Sequence, residues 1–199
     1  FKREIKVCSS FAHPYVTTTL DGGMTYDKTL FLVMEYVTGE SLEDLVCQKT
    51  FTEKECRLLA QQMGEALSYV HSFDIYHRDI KPENIIRVSP ERSVLVDFGL
   101  ALSEENTRLT ATGTVVGTLN TMAPEQLAGN QIGPTADIYS LAVTLYYCAT
   151  GRYPYDKEAI VAIAVGVKPP QMKQIHELNR SYSPAFSRYV KKCLSLQPK

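Results

Sequence analysis

The sequence predicts an α+β fold in which helices outnumber strands. Two observations support this prediction: a few short runs of strand-forming apolar residues, and several longer stretches whose apolar residues recur at helical spacing between helix-start and helix-stop signals. The chain has 199 residues, of which 44% are hydrophobic and 22% are charged. That composition is typical of a globular domain with its own core, and it excludes a disordered or collagen-like chain.

The first predicted elements are a short helix and a strand. Residues 1–10 carry Ile5 and Cys8 at helical spacing, and Pro14 ends that helix because the residue before a proline disfavours the helical conformation. Residues 30–37 (LFLVMEYV) are rich in strand formers and are followed by Gly39, so we expect a strand there.

A long helix follows and leads into two strands. Thr52 and Glu55 have the spacing of a capping box, which marks the start of a helix. We expect this helix to run to His71, with one apolar face formed by Cys56, Leu59, Met63, Ala66, Leu67 and Val70. Residues 84–88 and 93–98 are then predicted as two short strands, separated by a turn at residues 89–91.

Three further helices are predicted in the second half of the chain. Residues 134–148 are apolar on all sides, which indicates a central, buried helix that starts at Pro134 and ends at Gly151. Residues 160–167 form a shorter helix. Ser183 as the N-cap and Pro184 as the first helical residue begin the last one.

The charge and cysteine content exclude several classes of protein. Lysine and arginine number 21 against 22 aspartates and glutamates, so the charge gives no reason to expect binding to nucleic acid or to an anionic membrane. Five widely spaced cysteines without a C-x-x-C pair indicate neither a disulfide framework nor a zinc site, and they favour a reducing, cytoplasmic location. The longest apolar run, residues 159–167, is shorter than the ~20 residues that cross a bilayer.

Three short motifs occur in order along this framework. Residues 77–84 read HRDIKPEN, residues 97–99 read DFG, and residues 123–125 read APE. Asp79 and Asp97 are 18 residues apart, and Asp97 and Glu125 are 28 residues apart. Each motif alone is a weak signal, but three in order, on a strand pair that follows a long helix, are specific.

The polar residues of the first two motifs suit phosphoryl transfer, which requires that phosphates and a hydroxyl be positioned and their charge neutralised. Asp97 offers a carboxylate to Mg²⁺, a hard cation that prefers oxygen ligands, and Asn84 adds an amide oxygen for a second metal ion. Asp79 would accept a hydrogen bond from the substrate hydroxyl, and Lys81 would place positive charge beside the transferred phosphate. The alternative is that both aspartates are turn residues and Asn84 is a strand cap.

The motifs resemble the catalytic loop, the magnesium triplet and the activation-segment anchor of the protein kinase family. The resemblance covers essentially the whole chain, and it implies ATP and Mg²⁺ as cofactors. It also implies a protein-kinase-like fold that consists mostly of the helical large lobe plus the last part of the small lobe. The implied boundaries are the end of the small lobe at residues 1–36, the hinge at 37–41 and the large lobe at 42–199.

The resemblance further implies the class of substrate. Serine/threonine kinases carry a lysine at the place of Lys81, and Thr118 matches the threonine that contacts this lysine. We therefore expect transfer of the ATP γ-phosphate to serine or threonine hydroxyls of protein substrates. A pseudokinase-type binding or scaffold module is the alternative, and the intact Asp79, Asn84 and Asp97 argue against it.

The nucleotide contacts implied by the resemblance lie in the hinge and in two strands. They are the gatekeeper Met34, the adenine-binding backbone of Glu35 and Val37, the floor residue Ile86 and the wall residue Val96. Glu4 matches the helix glutamate that pairs with the ATP-binding lysine. The alternatives are ordinary core packing for the apolar residues and a solvated helix face for Glu4.

The resemblance also implies control by phosphorylation. Arg78 precedes the catalytic aspartate, and in the family a phosphate on the activation loop pairs with this arginine and orders the loop. The candidate phosphorylation sites are Thr110, Thr112 and Thr114. An activating dimer or an upstream kinase would be the corresponding partner, and a polar loop without modification is the alternative.

Four residues are expected to be structural: Phe98, Gly99, Glu125 and Asp137. In the family, the equivalent of Phe98 belongs to an apolar spine, and the equivalent of Asp137 accepts backbone hydrogen bonds from the turn at residues 77–78.

The sequence departs from the family pattern at both ends. No glycine-rich phosphate loop or strand lysine precedes Glu4, and the chain stops before the final helix and before the arginine that pairs with the equivalent of Glu125. We therefore expect a partial catalytic domain that is inactive alone. A buried Glu125 carboxylate without its partner would cost about 3–5 kcal/mol.

Overall fold

The computed structural model describes residues 7–27, 29–98 and 118–195. Within these ranges the strands form two small antiparallel sheets. In the first, β1 (Thr19–Met24) pairs with β2 (Leu30–Met34). In the second, β4 (Ile85–Ser89) lies between β3 (Glu40–Ser41) and β5 (Arg92–Leu95).

Helices make up most of the rest of the described chain, so the predicted α+β class with a helical majority is confirmed. The α-helices are α1 (Leu42–Gln48), α2 (Glu53–His71), α3 (Pro124–Leu127), α4 (Pro134–Thr150), α5 (Lys157–Ala164), α6 (Ile175–Leu178) and α7 (Pro184–Cys193). There are also two short 3₁₀ helices: Pro82–Asn84 forms the end of the motif at residues 77–84, and Thr118–Asn120 precedes the motif at residues 123–125.

Helix α2 starts and packs as the sequence predicts. The Glu55 N–H donates to Thr52 Oγ1 at 3.3 Å, and the Thr52 N–H donates to Glu55 Oε2 at 2.8 Å, so the capping box is present. The six predicted apolar residues are all buried. Gln62 is buried on the same face, where its amide donates to Glu91 O at 2.5 Å and accepts from the Ser93 N–H at 2.9 Å. This polar side chain therefore attaches α2 to the turn between β4 and β5.

Helix α4 is the central element of the core, as predicted. It packs against α2 on one side and α7 on another. Nearly all of its side chains are buried, but Ile138 is 37% exposed, so the helix is not enclosed on every side. Pro134 occupies the first turn, and Gly151 ends the helix with φ of 68°, a conformation that glycine adopts without strain.

Two predicted strands end earlier in the structure. The strand predicted over residues 30–37 stops at Met34, although the N–H of the next residue, Glu35, still donates to Thr18 O at 2.9 Å, beside the start of β1. The strand predicted over 93–98 covers Arg92–Leu95. Residues 96–98 leave the ladder because Val96 bonds to the loop that precedes β4.

Helix α5 is shifted relative to its prediction at residues 160–167. It begins three residues earlier because Asp156 is its N-cap, with a side chain that accepts the Ala159 N–H at 2.8 Å. It ends at residue 164, before Gly166, which has φ of 77°. The predicted cap of α7 is confirmed, since Ser183 Oγ accepts the Phe186 N–H at 3.2 Å.

The segment 15–18 joins the two sheets. The Leu95 N–H donates to Tyr15 O and the Thr17 N–H donates to Leu95 O, both at 2.9 Å. One residue further on, Thr18 O accepts the N–H of Glu35. The end of β5 and the end of β2 are thereby held on opposite edges of one short extended segment.

Among residues 7–27, 29–98 and 118–195, no helix combines the length and the apolar character that a membrane span requires.

Candidate active site

A buried carboxylate holds the loop that precedes Asp79. Asp137, in the first turn of α4, is 0% exposed. Its Oδ2 accepts from the His77 N–H at 2.9 Å and from His71 Nε2 at 2.8 Å, and its Oδ1 accepts from the Arg78 N–H at 2.8 Å. The two backbone hydrogen bonds are those predicted for Asp137. The N-terminal end of a helix favours negative charge, which stabilises the carboxylate there.

Arg78 adopts a backbone conformation that is rare for residues other than glycine. Its φ is 67°, in the left-handed region, which costs roughly 1–2 kcal/mol for an L-residue. Its C=O accepts a hydrogen bond from Gln126 Nε2 at 2.8 Å. Within the described residues, the Arg78 Nε is buried and has no hydrogen-bond partner.

The His77 ring connects this loop to the segment after β5. His77 Nε2 lies 3.0 Å from Val96 O. A carbonyl oxygen can only accept, so Nε2 carries the proton and Nδ1 accepts the Asp79 N–H at 3.3 Å. The ring also packs against Phe98, with centroids 4.7 Å apart. Phe98 is 1% exposed and lies 5.8 Å from the Phe11 ring, in keeping with its predicted structural role.

Asp79 is held through one of its two carboxylate oxygens. The side chain is buried, at 7% exposed, and its Oδ2 accepts from Lys81 Nζ at 2.7 Å and from Asn84 Nδ2 at 3.0 Å. Within the described part of the chain, Asp79 Oδ1 is buried and accepts no hydrogen bond. One oxygen therefore fixes the carboxylate, and the other can accept a further hydrogen bond.

Asn84 links the loop to the strand that precedes Asp97. Its Nδ2 donates to Asp79 O at 2.9 Å as well as to Asp79 Oδ2, so the amide is oriented with Nδ2 toward Asp79. Its own C=O accepts the Val96 N–H at 3.0 Å. The loop and the strand end are therefore joined by backbone as well as by side chains.

Asp97 leaves β5 directly beside this loop. Both backbone polar groups of the preceding residue, Val96, bond to the loop, one to Asn84 and one to the His77 ring. Asp97 itself is exposed and has φ of 64°, a left-handed conformation that aspartate tolerates better than most residues. Asp79, Asn84 and Asp97 are thus brought together from one loop and one hairpin, as the motif spacing predicted.

The oxygen atoms of this cluster suit a hard cation that is only partly enclosed by protein. Asp97 offers an exposed carboxylate and Asn84 an oriented amide oxygen. In residues 7–27, 29–98 and 118–195, no group of three or more histidines, cysteines, aspartates and glutamates is arranged to hold a metal. A carboxylate and an amide oxygen are ligands that fit Mg²⁺, which keeps waters or phosphate oxygens in its shell.

The candidate nucleotide contacts lie at the ends of β2 and β5 and in β4. Glu35 is exposed, whereas Met34, Val37, Ile86 and Val96 are half-buried. Thr17 Oγ1 lies 3.4 Å from Glu35 O, which keeps a second lone pair for another donor.

Gly39 brings the segment after β2 onto β4. A Cβ at this position would lie 2.5 Å from Arg87 O and 2.8 Å from Ile86 Cγ2, closer than any real contact. Glycine is therefore required for the backbone to pass over Ile86 at this distance.

An acidic and aromatic group adjoins the catalytic-loop motif. Burial raises the pKa of Glu43, the hydrogen bond from Tyr147 lowers it, and the nearby Glu83 carboxylate raises it again, with a net upward shift. The Tyr147 hydroxyl donates to Glu43 Oε1 at 3.0 Å, and its ring stacks on Tyr153 at 4.6 Å. Tyr147 thus contacts an acidic neighbour.

Several predicted site residues lie outside the described residues: Glu4, Gly99, Thr110, Thr112 and Thr114. Thr118 begins a 3₁₀ helix, and its side chain is also outside them. Glu125 is only half-buried and lies 3.4 Å from Thr135 Oγ1, so the expectation of a buried carboxylate without a partner is wrong.

Sequence reasoning missed two residues that shape the loop. His71 was predicted only as the last residue of a helix, but it bonds to the Asp137 carboxylate. Gln126 was not singled out at all, although its side chain bonds to Arg78 O. A glutamine three residues after the N-cap of a helix is a recognised capping signal, but the N-cap residue here, Ala123, has no side-chain acceptor to complete the pattern.

The fold is shared with a solved structure. A crystal structure of Rad53 residues 1–466 in complex with AMP-PNP matches 98% of this chain and 50% of that chain, with a TM-score of 0.78 and 24% sequence identity. This likeness confirms the predicted protein-kinase-like fold.

Comparison of sequences gives the family. Serine/threonine-protein kinase pkn3 of Myxococcus xanthus is 34% identical over 209 residues, which cover 100% of this chain and 38% of that protein. Serine/threonine-protein kinase PrkC of Bacillus subtilis strain 168 is 31% identical over 199 residues, covering 100% of this chain and 31% of that protein. The chain thus spans about a third of the length of these relatives. Since the protein kinase domain model also matches residues 1–199, the chain belongs to the protein kinase domain family.

Proposed function

We propose that this chain supplies the catalytic loop and metal site of a protein serine/threonine kinase. The observation that carries the proposal is the arrangement of Asp79, whose Oδ2 is held by Lys81 and Asn84 while its buried Oδ1 accepts no hydrogen bond from the described residues. A scaffold module would have no use for a carboxylate positioned in this way.

The reaction would transfer the γ-phosphoryl group of ATP to a protein hydroxyl. The hydroxyl oxygen forms a bond to the γ-phosphorus, the bond from that phosphorus to the β–γ bridging oxygen breaks, and ADP leaves. Asp79 Oδ1 accepts the hydrogen bond of the hydroxyl and then its proton. Lys81, 2.7 Å from Asp79 Oδ2, supplies positive charge beside the phosphate that is transferred.

Asp97 and Asn84 are the residues that would hold Mg²⁺, with Asp97 as the carboxylate ligand and Asn84 Oδ1 as the amide ligand. Bound Mg²⁺ neutralises phosphate charge as a Lewis acid. The hydrogen bonds of Val96 and of Asn84 Nδ2 support this assignment, because they hold the backbone that precedes Asp97 and the Asn84 amide close to the Asp79 loop.

The adenine would bind at the end of β2. We assign Met34 as the gatekeeper, the backbone of Glu35 and Val37 as hydrogen-bonding groups, and Ile86 and Val96 as apolar contacts. The segment 15–18, which ties Glu35 to Leu95, supports this assignment. Residues 1–36 would then form the end of the small lobe, 37–41 the hinge and 42–199 the large lobe.

The protein substrates would offer serine or threonine. The named relatives are serine/threonine-protein kinases, and Lys81 together with Thr118 matches that class. An upstream kinase or an activating dimer would phosphorylate Thr110, Thr112 or Thr114. The phosphate would then pair with Arg78. Its buried Nε, without a partner among the described residues, supports that role.

The proposal is tested by transfer of labelled γ-phosphate from ATP to a serine- or threonine-containing protein, with the natural full-length protein. We expect Asp79→Asn to lower kcat by about 10²–10⁴-fold. The matched control is Asp74→Asn, an exposed aspartate in the turn after α2 with φ of 58°, which should retain the wild-type rate. Label on tyrosine alone, free phosphate without labelled protein, or equal transfer by wild type and Asp79→Asn would contradict the proposal.

A further inference from the structure

The peptide unit between Arg78 and Asp79 is held on both sides by side chains. Its C=O, from Arg78, accepts from Gln126 Nε2 at 2.8 Å. Its N–H, from Asp79, donates to His77 Nδ1 at 3.3 Å. These two contacts fix the plane of the peptide that directly precedes the Asp79 side chain. Rotation of this plane would change the direction in which the carboxylate leaves the backbone.

This plane needs support because Arg78 lies in the left-handed region, with φ of 67°. The Arg78 N–H is held by Asp137 at 2.8 Å, from α4. The C=O of the same residue is held by Gln126, from α3. Two helices thus contribute one side chain each to opposite polar groups of a single strained residue, and strained conformations persist where the surroundings over-determine them.

The Gln126 amide uses both of its ends. Its Oε1 accepts the N–H of Ala123 at 3.0 Å, and its Nε2 donates to Arg78 O at 2.8 Å. A flipped amide would point Nε2 at an N–H donor and Oε1 at a carbonyl, so only one orientation satisfies both neighbours. Because Ala123 is fully buried, the amide is anchored to a rigid point at the start of α3.

We propose that Gln126 is a positioning residue for the phosphoryl transfer, acting on Asp79 through the Arg78 carbonyl. This inference rests on the proposed kinase function. In the described part of the chain, the hydrogen bonds of the Gln126 side chain go to Ala123 and Arg78, and none goes to Asp79 or Asn84. Its contribution is the orientation of the peptide that carries the catalytic aspartate, and it couples that orientation to the APE segment at residues 123–125.

Two substitutions distinguish the roles of the two hydrogen bonds that the amide makes. Gln126→Glu keeps an oxygen for the Ala123 N–H but replaces the donor to Arg78 O by a second oxygen, which repels the carbonyl. Gln126→Met removes both contacts at similar volume. The control is Gln61→Glu, which makes the same change of charge at an exposed position of α2, where the amide bonds to Glu65 on the same helix.

In the natural protein we expect Gln126→Glu and Gln126→Met to lower kcat by about tenfold, with the KM for ATP within about twofold of wild type. Gln61→Glu should change neither constant. A kcat for Gln126→Glu within about twofold of wild type, or a loss confined to KM, would overturn the inference. Failure of both Gln126 variants to fold, judged by circular dichroism, would assign the amide to stability and would also overturn it.

Amide hydrogen exchange gives a readout that does not depend on turnover. The Asp79 amide should exchange faster in Gln126→Glu than in Gln61→Glu, while amides in the middle of α2 and α4 exchange at unchanged rates. If wild type transfers no phosphate, the proposed function fails. The exchange rates still decide whether Gln126 holds the peptide, and equal rates at Asp79 would refute that.

Discussion

Replacing Asp137 by asparagine perturbs the buried carboxylate of α4 that holds the loop before Asp79. The carboxylate accepts three hydrogen bonds, two of them from the backbone N–H groups of His77 and Arg78. An asparagine keeps one acceptor oxygen and turns an NH₂ group toward a donor, so at least one N–H is left buried without a partner. A hydrogen bond to a charged group contributes about 1.5–3 kcal/mol, and leaving a buried donor unsatisfied costs about 1–3 kcal/mol.

We therefore expect Asp137→Asn to lower the free energy of unfolding by about 3–5 kcal/mol, a large part of the 5–15 kcal/mol that is typical of a domain. The assay is urea unfolding followed by circular dichroism, with the m-value compared between variants. Asp156→Asn is the matched control, because Asp156 is the exposed N-cap of α5 and asparagine caps a helix as well as aspartate does. This variant should lower the free energy of unfolding by less than about 0.5 kcal/mol.

An Asp137→Asn variant that loses no more free energy of unfolding than Asp156→Asn would contradict this expectation. That result would mean that the loop N–H groups find other partners, and that the left-handed conformation of Arg78 does not depend on the carboxylate.

Three further predictions concern other parts of the molecule. Burial acts to raise the pKa of Glu55, but hydrogen bonds from Thr52 and Arg87 outweigh it and lower the pKa. Glu55→Gln should therefore lower the free energy of unfolding by about 0.5 kcal/mol at pH 7. In urea titrations, this difference should vanish as the pH falls through the lowered pKa. Burial raises the pKa of Cys56 to about 12, so iodoacetamide at pH 8 should label the exposed Cys47 and leave Cys56 intact by mass spectrometry, and equal labelling would contradict the structure. Gly39→Ala places a methyl group 2.8 Å from Ile86 Cγ2 and should lower stability by about 1–3 kcal/mol in the same denaturation assay, whereas an unchanged midpoint would show that the backbone can move aside.

Features that depend on neighbouring residues could be predicted from the sequence. The capping box of Thr52 and Glu55 is formed by residues three apart, and it starts α2 where predicted. The left-handed Gly151 ends α4 for an equally local reason. The order and spacing of the three motifs also sufficed to predict that one loop and one hairpin bring Asp79 and Asp97 together.

Features that depend on distant contacts could not be predicted. β5 ends at Leu95 because the next residue, Val96, bonds to a histidine ring 19 residues earlier in the chain. Gln126 bonds to a carbonyl 48 residues away, and nothing in its local sequence indicates that partner. Ile138 has the same apolar character as its neighbours in α4. It is nevertheless exposed, because none of the described elements covers this side of the helix.

In the proposed reaction, Asp97 holds a nucleotide-bound metal ion whereas Asp79 orients the hydroxyl. Binding of Mn²⁺ in the presence of AMP-PNP, followed by electron paramagnetic resonance, tests this division of roles directly. We predict that Asp97→Asn raises the Kd for Mn²⁺ by about tenfold or more, while Asp79→Asn changes it by less than about threefold. An unchanged Kd in Asp97→Asn, or an equal loss of affinity in both variants, would contradict the account.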